Sequence, residues 1–302
     1  MLTRYTRSNV AWIDLVAPTP GEVRPLMHEF GIDPLIVEEL LLPSFKPKVE
    51  RRGDTIYVIL HFPTMGGRHR PEQEIDFVIG KNFLITTHYE NIDPLHSFAQ
   101  VFEVDSVLGR EGAATHGGHL FAFMAQNLYR ALGLECEAVN RHLKEIEERV
   151  FNGDERKMVI ELSHAGRTIH DFRQALAPHQ EMLTSLEPVA ARMFGAEFSY
   201  HARTVMGAWE RVEHTLAHLR DSLKELRETN NSLLSTKQNE IMKTLTIMAF
   251  VTFPLTLISS VFGMNTHYLP IVGSPGDFWI IMGIMLALAT SFFLFFKHKK
   301  WL

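Results

Sequence analysis

Two uncharged apolar segments near the C-terminus constrain the fold of this chain more than any other feature of its sequence. The first, LTIMAFVTFPLTLISSVF, covers residues 245–262, and the second, FWIIMGIMLALATSFFLFF, covers residues 278–296. A helix of about 20 apolar residues crosses a hydrocarbon core of about 30 Å, and both segments fall within the usual range of lengths. The sequence therefore predicts two transmembrane helices joined by a loop at 263–277.

The basic residues around these segments predict their orientation. Lys237 and Lys243 flank the start of the first span, a basic tail at 297–302 follows the second, and the loop between the spans contains neither Lys nor Arg. The positive-inside rule then places both termini in the cytoplasm. No apolar core of signal-peptide length precedes Asp14, so the first 240 or so residues are expected to stay in the cytoplasm. We expect a multi-pass protein of the cell (inner) membrane, surrounded by lipid.

The N-terminal residues 1–112 mix strand and helix patterns. The runs at 55–62 and 75–88 are rich in β-branched and aromatic residues, and Gly80-Lys81-Asn82 interrupts the second run with a turn signal. Segments with apolar residues at spacings of three and four residues flank these runs and predict helices. The sequence therefore predicts a cytosolic α/β domain.

Long helical patterns follow this domain. Residues 113–195 predict coiled-coil-like helices with a break near Asn152-Gly153 and a kink at Pro178, because proline lacks a backbone donor. Residues 196–244 predict a stalk helix that continues into the first span. Its apolar stripe predicts packing against the same chain or against further copies; the stripe consists of Val212, Leu216, Leu219, Leu223 and Leu226.

Composition and motifs exclude several classes of function. A formal net charge of -5 excludes a globally basic nucleic-acid-binding protein, and the single cysteine, Cys136, excludes an intrachain disulfide. The chain has no phosphate loop, nucleophile elbow or zinc-protease motif, so we expect neither an enzyme nor a covalently bound cofactor. A membrane-anchored sensor or a scaffold remains an alternative.

One face of the first span carries polar and small residues at helical spacing. Its members are Asn239, Met242, Leu245 or Thr246, Ala249, Phe253, Thr256 and Ser260, with Asn265 in the loop beyond. In one interpretation the hydroxyl groups bond back to their own helix and have no further role. In the other, several copies of the helix surround an axis with this face inward, which requires oligomerisation because two spans alone enclose no pore.

The chemistry of this face favours a hard cation. Residues 242–265 contain no Asp, Glu, His or Cys, the ligands that a site for direct Zn²⁺ binding normally uses. Mg²⁺ gives up water reluctantly and can pass hydrated among neutral oxygens. Met242, Leu245 and Phe253 would form apolar constrictions that can gate by dewetting. Pro254 is either a hinge or a bend.

The same region resembles the CorA-type metal ion transporters. The resemblance rests on residues 238–243, on Phe253-Pro254-Leu255-Thr256, on Phe262-Gly263-Met264-Asn265 and on a single further span with a basic end. It extends to Trp12-Ile13-Asp14-Leu15 and to residues 34–39, and so covers nearly the whole chain.

This resemblance implies a homopentamer with a cytosolic funnel, a long stalk helix, a pore-lining first span and an outer second span. Gly263, Met264 and Asn265 would form the selectivity filter, with Asn265 binding the metal ion through water. The path behind it would be lined by Asn239, Met242, Leu245, Ala249, Phe253, Thr256 and Ser260. Mg²⁺ would be the substrate and a possible regulator. The acids to search for a regulatory site are Glu210, Glu213, Asp221, Glu225 and Glu228.

The outer loop departs from the common pattern. Thr266-His267-Tyr268-Leu269-Pro270 follows the triplet, and the only acid before the second span is Asp277. This loop is closer to the zinc-transporting branch of the family. Mg²⁺ is therefore the leading ion, with Zn²⁺, Co²⁺ or Ni²⁺ and proton coupling left open.

Histidines offer a separate metal hypothesis. Glu210, His214 and His218 lie at four-residue spacing on the stalk and could hold Zn²⁺. Exposed stalk residues explain the same spacing. His116-Gly117-Gly118-His119 is a weaker pattern of the same kind.

Overall fold

The computed structural model describes residues 1–7, 9–44, 46–63, 72–90, 92–108, 115–265, 267, 270–273, 275–299 and 301. In these residues the strands are β1 Leu2–Arg7, β2 Val10–Val16, β3 Lys48–Arg52, β4 Thr55–Pro63, β5 Glu72–Ile79 and β6 Phe83–His88. The helices are α1 Pro20–Phe30, α2 Pro34–Glu39, α3 Asp93–Leu108, α4 Gly117–Phe151, α5 Glu155–Leu176, α6 His179–Phe194, α7 Phe198–Phe262 and α8 Asp277–His298. The chain divides into two compact units, Met1–Arg227 and Glu228–Leu302.

The first unit is built on one mixed sheet. Its strand order is β1-β2-β6-β5-β4-β3, with β2 and β6 parallel and the other neighbours antiparallel. Every residue of β4 and β6 is buried. A strand buried on both faces requires helices on both sides of the sheet, which confirms the predicted α/β fold.

The first face of the sheet packs against α1 and α2. Ile13, Ile59 and Ile85 belong to this hydrophobic core, together with Val23 of α1 and Ile36 of α2. Both helices begin with well-defined caps. Glu22 accepts hydrogen bonds from the backbone N–H and the hydroxyl of Thr19, both at 2.9 Å, which satisfies groups that a helix start leaves unpaired.

The second face packs against later helices through aromatic contacts. Trp12 meets Phe98 of α3 edge to face, with ring centroids 5.3 Å apart, and Phe77 meets Phe121 of α4 at 5.2 Å. The Trp12 indole N–H donates to Thr86 Oγ1 at 2.9 Å, so the buried ring keeps its polar group paired.

The β5–β6 turn fixes the start of α4. β5 ends at Ile79 and β6 begins at Phe83, as the Gly80-Lys81-Asn82 signal predicted. The N–H of Gly117 donates to the carbonyl of Lys81 at 2.8 Å, and a Cβ at Gly117 would collide with the carbonyl oxygens of Gly80 and Phe83. Only glycine allows this close approach of helix and turn.

The helical region is interrupted where the sequence predicted, but Pro178 separates two helices instead of kinking one. α5 ends at Leu176 and α6 begins at His179, because Pro178 cannot donate the hydrogen bond that would continue the helix. Strands β1–β3 and helix α3 were not predicted. The predicted boundary between the α/β domain and the helical region, after residue 112, lies outside the described residues. The other predicted domain boundaries stay predictions.

The apolar stripe of the stalk is buried within the single chain. Val212, Leu216, Leu219, Leu223 and Leu226 are all buried. The indole N–H of Trp209 donates to the carbonyl of Leu176 at 3.2 Å, and Arg227 donates to that of Leu162 at 3.0 Å. The sequence allowed the stripe to pack against the same chain or against further copies. Up to Arg227, the same chain buries it.

Candidate functional site

Helices α7 and α8 each contain an apolar window long enough to span a membrane. The windows have mean hydropathies of 2.0 and 2.3, and only 6% and 0% of their residues are buried. A core helix of a soluble protein would be mostly buried, so these exposed windows need another apolar environment.

Within the second unit, one stripe of each helix is less exposed than the rest: Ile247 and Phe296 are buried and the other members are half-buried. We call these positions of α7 the packed stripe: Ile247, Val251, Pro254, Leu255, Ile258 and Phe262. The matching stripe of α8 contains Ile281, Met285, Leu288, Ala289, Phe292 and Phe296. Phe250 and Phe296 meet with ring centroids 6.5 Å apart. The two spans therefore pack along these stripes, as ridges at three- and four-residue spacing do.

The predicted pore positions lie on the other side of α7. We call Met242, Leu245, Ala249, Phe253, Thr256 and Ser260 the open face. All are exposed except the half-buried Ala249. At about 100° per residue the centre of the open face lies roughly opposite the centre of the packed stripe. Asn239 is exposed and lies toward one edge of the open face.

The hydroxyl groups near the open face bond back to their own helix. Thr246 donates to Met242 O at 2.8 Å, Thr252 to Met248 O at 2.9 Å and Thr256 to Thr252 O at 2.9 Å. A hydroxyl that donates its one proton keeps acceptor lone pairs. Thr256 is therefore bonded to the helix and still has an oxygen that can accept a hydrogen bond.

Thr252 is a polar residue that the sequence analysis missed. It is exposed and borders the open face, between Ala249 and Thr256. Its spacing of three and four residues from these two positions was the signal that could have identified it.

The Gly263-Met264-Asn265 triplet begins where α7 ends. The N–H of Gly263 donates to Ser259 O at 2.9 Å and that of Met264 to Val261 O at 3.3 Å. Asn265 follows outside the helix and is exposed. Its amide is thus free of the helix and lies at the end of the segment that carries the open face.

Asp277 at the other end of the loop is engaged in local structure. Its two carboxylate oxygens accept the N–H of Gly273 at 3.1 Å and that of Phe278 at 2.6 Å. A carboxylate at the start of a helix is stabilised by the backbone dipoles. Thr266, Tyr268 and Leu269 of the predicted zinc-like loop lie outside the described residues.

The histidine hypotheses receive no support from the geometry. Glu210, His214 and His218 are all exposed on α7, and the described part of the chain holds no group of three or more His, Cys, Asp or Glu that could bind a metal ion. One copy of the chain does not bring these residues together as a ligand set, and the stalk site rests on spacing alone. His116 accepts the N–H of His119 at 3.2 Å and so serves as a helix cap.

The acids of the proposed regulatory pool are mostly surface residues. Glu213 lies 3.8 Å from Arg173, and Asp221 lies 2.8 Å from Arg220. Exposed pairs of this kind contribute little to stability, and neither contact marks a metal site.

Comparison with known proteins identifies the family. The family model described as CorA-like Mg²⁺ transporter protein matches residues 7–298. The chain belongs to the CorA-like Mg²⁺ transporter family. This membership confirms the resemblance and agrees with the prediction of a transport protein for divalent cations that is not an enzyme.

Two relatives and one solved structure illustrate the similarity. The cobalt/magnesium transport protein CorA of Thermotoga maritima is 26% identical over 98% of this chain and 84% of its own length. That of Methanocaldococcus jannaschii is 22% identical over 96% and 91%. The complete structure of the M. jannaschii CorA magnesium transporter matches with a TM-score of 0.84 and 21% identity over 99% of this chain and 93% of the other. The structural similarity of this CorA-like chain to the solved transporter therefore includes residues of both units.

Proposed function

We propose that five copies of this chain surround an axis lined by the open face of α7, and that the assembly carries divalent cations, Mg²⁺ first, across the membrane. The observation that carries the proposal is the position of α8. It covers the face of α7 opposite the predicted pore positions, which leaves these positions available to an axis. Closed symmetry is the usual way in which identical helices share such an axis.

The residues along the open face suit a cation that keeps its water. Asn239 and Asn265 offer amide oxygens near the two ends, and Thr256 offers a hydroxyl oxygen between them. Mg²⁺ holds its water strongly and is met by oxygen ligands. In this proposal Gly263, Met264 and Asn265 form the outer filter, and Asn265 contacts the ion through a water molecule.

The proposal also includes the orientation of the chain in the membrane and a second transported ion. Residues 1–244 and the basic tail at 297–302 lie in the cytoplasm, and the 263–277 loop lies on the outer side of the cell membrane. Co²⁺ is a second cargo, because relatives over nearly the full chain are named for both cobalt and magnesium. Uptake of Zn²⁺ and Ni²⁺ is measured in the same experiment as that of Mg²⁺ and Co²⁺.

Flux in liposomes tests the function directly. The purified full-length protein is reconstituted, its oligomeric mass is measured, and uptake of Mg²⁺, Co²⁺, Zn²⁺ and Ni²⁺ is compared with and without a pH gradient. We expect the mass of a pentamer, and we expect Mg²⁺ uptake that does not require a pH gradient. If an intact oligomer carries none of the four ions, the transport function is contradicted. If the protein takes up only Zn²⁺, and only with a pH gradient, the assignment of Mg²⁺ as the main ion is contradicted.

Asn265→Ala tests the filter. We expect reduced Mg²⁺ uptake and weaker discrimination among the four ions, because the variant loses the amide oxygen that meets the hydrated ion. Val272→Ala is the control, since Val272 is also an exposed residue of the loop. Ion discrimination equal to that of the control removes Asn265 from its proposed role.

A further inference from the structure

A cluster of buried polar side chains lies on the first face of the sheet, where β4, β5 and β6 meet. His61 pairs with Glu74, and Asp76 pairs with Thr87 in the strand register. Because alternate residues of a strand share a face, all four side chains lie on the side that packs against α1 and α2. His61 is 5% exposed, Glu74 8%, and Asp76 and Thr87 0%.

The cluster holds the segment between α2 and β3. The N–H of Ser44 donates to Glu74 Oε1 at 2.8 Å, and the carbonyl of Ser44 lies 2.9 Å from His61 Nε2. On the other side, the Tyr57 hydroxyl donates to Asp76 Oδ2 at 3.2 Å. The backbone of Ser44 is thus bound by two members of the cluster.

The remaining oxygens of the two carboxyl groups have no donor. In the described structure neither Glu74 Oε2 nor Asp76 Oδ1 has a hydrogen-bond partner. His61 Nε2 lies 3.2 Å from Glu74 Oε2, but its hydrogen bond goes to Ser44. Glu74 and Asp76 are next neighbours on one face of β5, and two carboxylates that close together inside a protein are strongly disfavoured from both staying ionised. One proton between these two oxygens would turn two unpaired acceptors into a single hydrogen bond.

The titration behaviour of the cluster agrees with this reading. Burial raises the pKa of Asp76 well above 3.8, the neighbouring Glu74 raises it further, and the bond from Tyr57 only partly opposes this. Burial disfavours the charged form of His61, but the nearby Glu74 carboxyl group and the Ser44 carbonyl outweigh burial and raise the pKa of His61. Asp76 is therefore the member of the pair that keeps a proton.

Among the described residues, the titratable groups that act on the cluster include no lysine or arginine. The titratable groups that act on the cluster are Glu39 of α2, Tyr57 and His61 of β4, Glu72 of β5, and Tyr89 after β6. Lys48, 5.6 Å from the Tyr57 ring, bonds instead to Glu39 at 2.9 Å and to Glu50 at 2.7 Å. In the described part of the chain, a proton is therefore the positive charge that can lie between the two carboxyl groups.

A metal ion fits the cluster poorly. Mg²⁺ requires nearly octahedral oxygen coordination and usually keeps several waters, whereas Asp76 and Thr87 are fully buried. The described residues also contain no group of three or more ligands of the usual metal-binding types placed to hold an ion.

We propose that Glu74 and Asp76 form a site for a single proton, held between Asp76 Oδ1 and Glu74 Oε2, which keeps the Ser44 segment bound to the sheet. When the pH rises, the O–H bond of Asp76 breaks and the proton passes to water, with no other bond exchanged. Two ionised carboxylates on the same buried face of β5 then repel each other, and this repulsion releases the bond from Ser44 to Glu74. The site couples the pH around the first unit to the segment that follows α2, and it does not depend on the ion pathway.

Infrared spectroscopy of the full-length protein in detergent tests the proton itself. The wild type should show the C=O stretch of one buried protonated carboxyl group at neutral pH, shifted in D₂O and lost at high pH. Asp76→Asn should lack this band, and Glu74→Gln should lose it at a lower pH than the wild type, because burial then raises the pKa of Asp76 without help from Glu74. Glu72→Gln, a control on the same strand, should keep it. A wild type without the band, or an Asp76→Asn variant that retains it, overturns the proposal.

Hydrogen exchange tests the consequence for the Ser44 segment. As the pH rises toward the raised pKa of Asp76, the protection of the Ser44 amide should fall about tenfold per pH unit in the wild type and level off above that pKa, because each unit makes the released, ionised form tenfold more common. Asp76→Asn, which imitates the protonated acid, should keep its protection, and Glu74→Gln provides a second neutral pair if that variant does not fold. Equal loss in wild type and Asp76→Asn contradicts the coupling.

The same exchange experiment with added Mg²⁺ and with EDTA tests the competing occupant. We expect no effect of either on the Ser44 amide of the wild type. If protection of the Ser44 amide requires Mg²⁺ and the protein lacks the protonated carboxyl band, the site binds a metal ion and the proposed proton site is wrong.

Discussion

Phe253 places a phenyl ring on the open face of α7, and 72% of its surface is exposed in the single chain. A ring of such side chains around an axis would be a narrow apolar constriction that repels water. Phe253→Ala is therefore expected to raise Mg²⁺ flux several-fold in liposomes. Leu286→Ala on α8 is the control, because Leu286 is equally apolar and 70% exposed. Flux no higher than that of the control would contradict a constriction at Phe253.

Thr256 tests whether a helix-bonded hydroxyl still serves the ion. Thr256→Val removes the oxygen and keeps the shape, so Mg²⁺ flux should fall roughly fivefold, as expected for the loss of about 1 kcal/mol of hydrogen bonding. Thr256→Ser should restore most of the flux. The control is Thr290→Val, because Thr290 makes the same bond, to Leu286 O at 2.8 Å, on the other span. Equal effects of the two valine variants would show that only helix bonding matters.

At the scale of elements, the contact between α4 and the β5–β6 turn depends on Gly117. Gly117→Ala forces a methyl group into two backbone carbonyls, so the free energy of unfolding should fall by about 1–3 kcal/mol or more. Gly133→Ala on the same helix meets nothing within 4 Å and should raise stability by up to about 1 kcal/mol through helix propensity. Thermal unfolding of both variants measures the difference. A Gly117→Ala variant as stable as Gly133→Ala would contradict the close approach.

Local signals predicted the elements whose cause is local. The Gly80-Lys81-Asn82 turn and the helix break near Asn152-Gly153 follow from residues within a few positions of each other. Strands β1 and β3, LTRYTR and KVERR, carry many polar residues and give no clear alternation. They are strands because of pairing with β2 and β4 at the two edges of the sheet, which no short window of sequence contains.

At the scale of the whole molecule, orientation can be measured because Cys136 is the sole cysteine and is buried. Single cysteines at Val272 in the loop and at Gln238 before the first span provide two reporters, both exposed. On intact cells an impermeant thiol reagent should label Val272→Cys, and should label Gln238→Cys only after permeabilisation. The unmodified protein is the control and should stay unlabelled. The reverse pattern would contradict the orientation that the basic residues predict.

The sequence by itself determined the two spans, the loop triplet and the neutral open face, because an uncharged apolar run and a helical repeat are properties of contiguous residues. The tertiary structure decided which side of α7 is covered by α8 and that the stalk stripe up to Leu226 is buried within the chain. It also brought His61, Glu74, Asp76 and Thr87 together on one face of the sheet. These features depend on strand register and on packing between distant segments, and a linear pattern of residue types does not specify either.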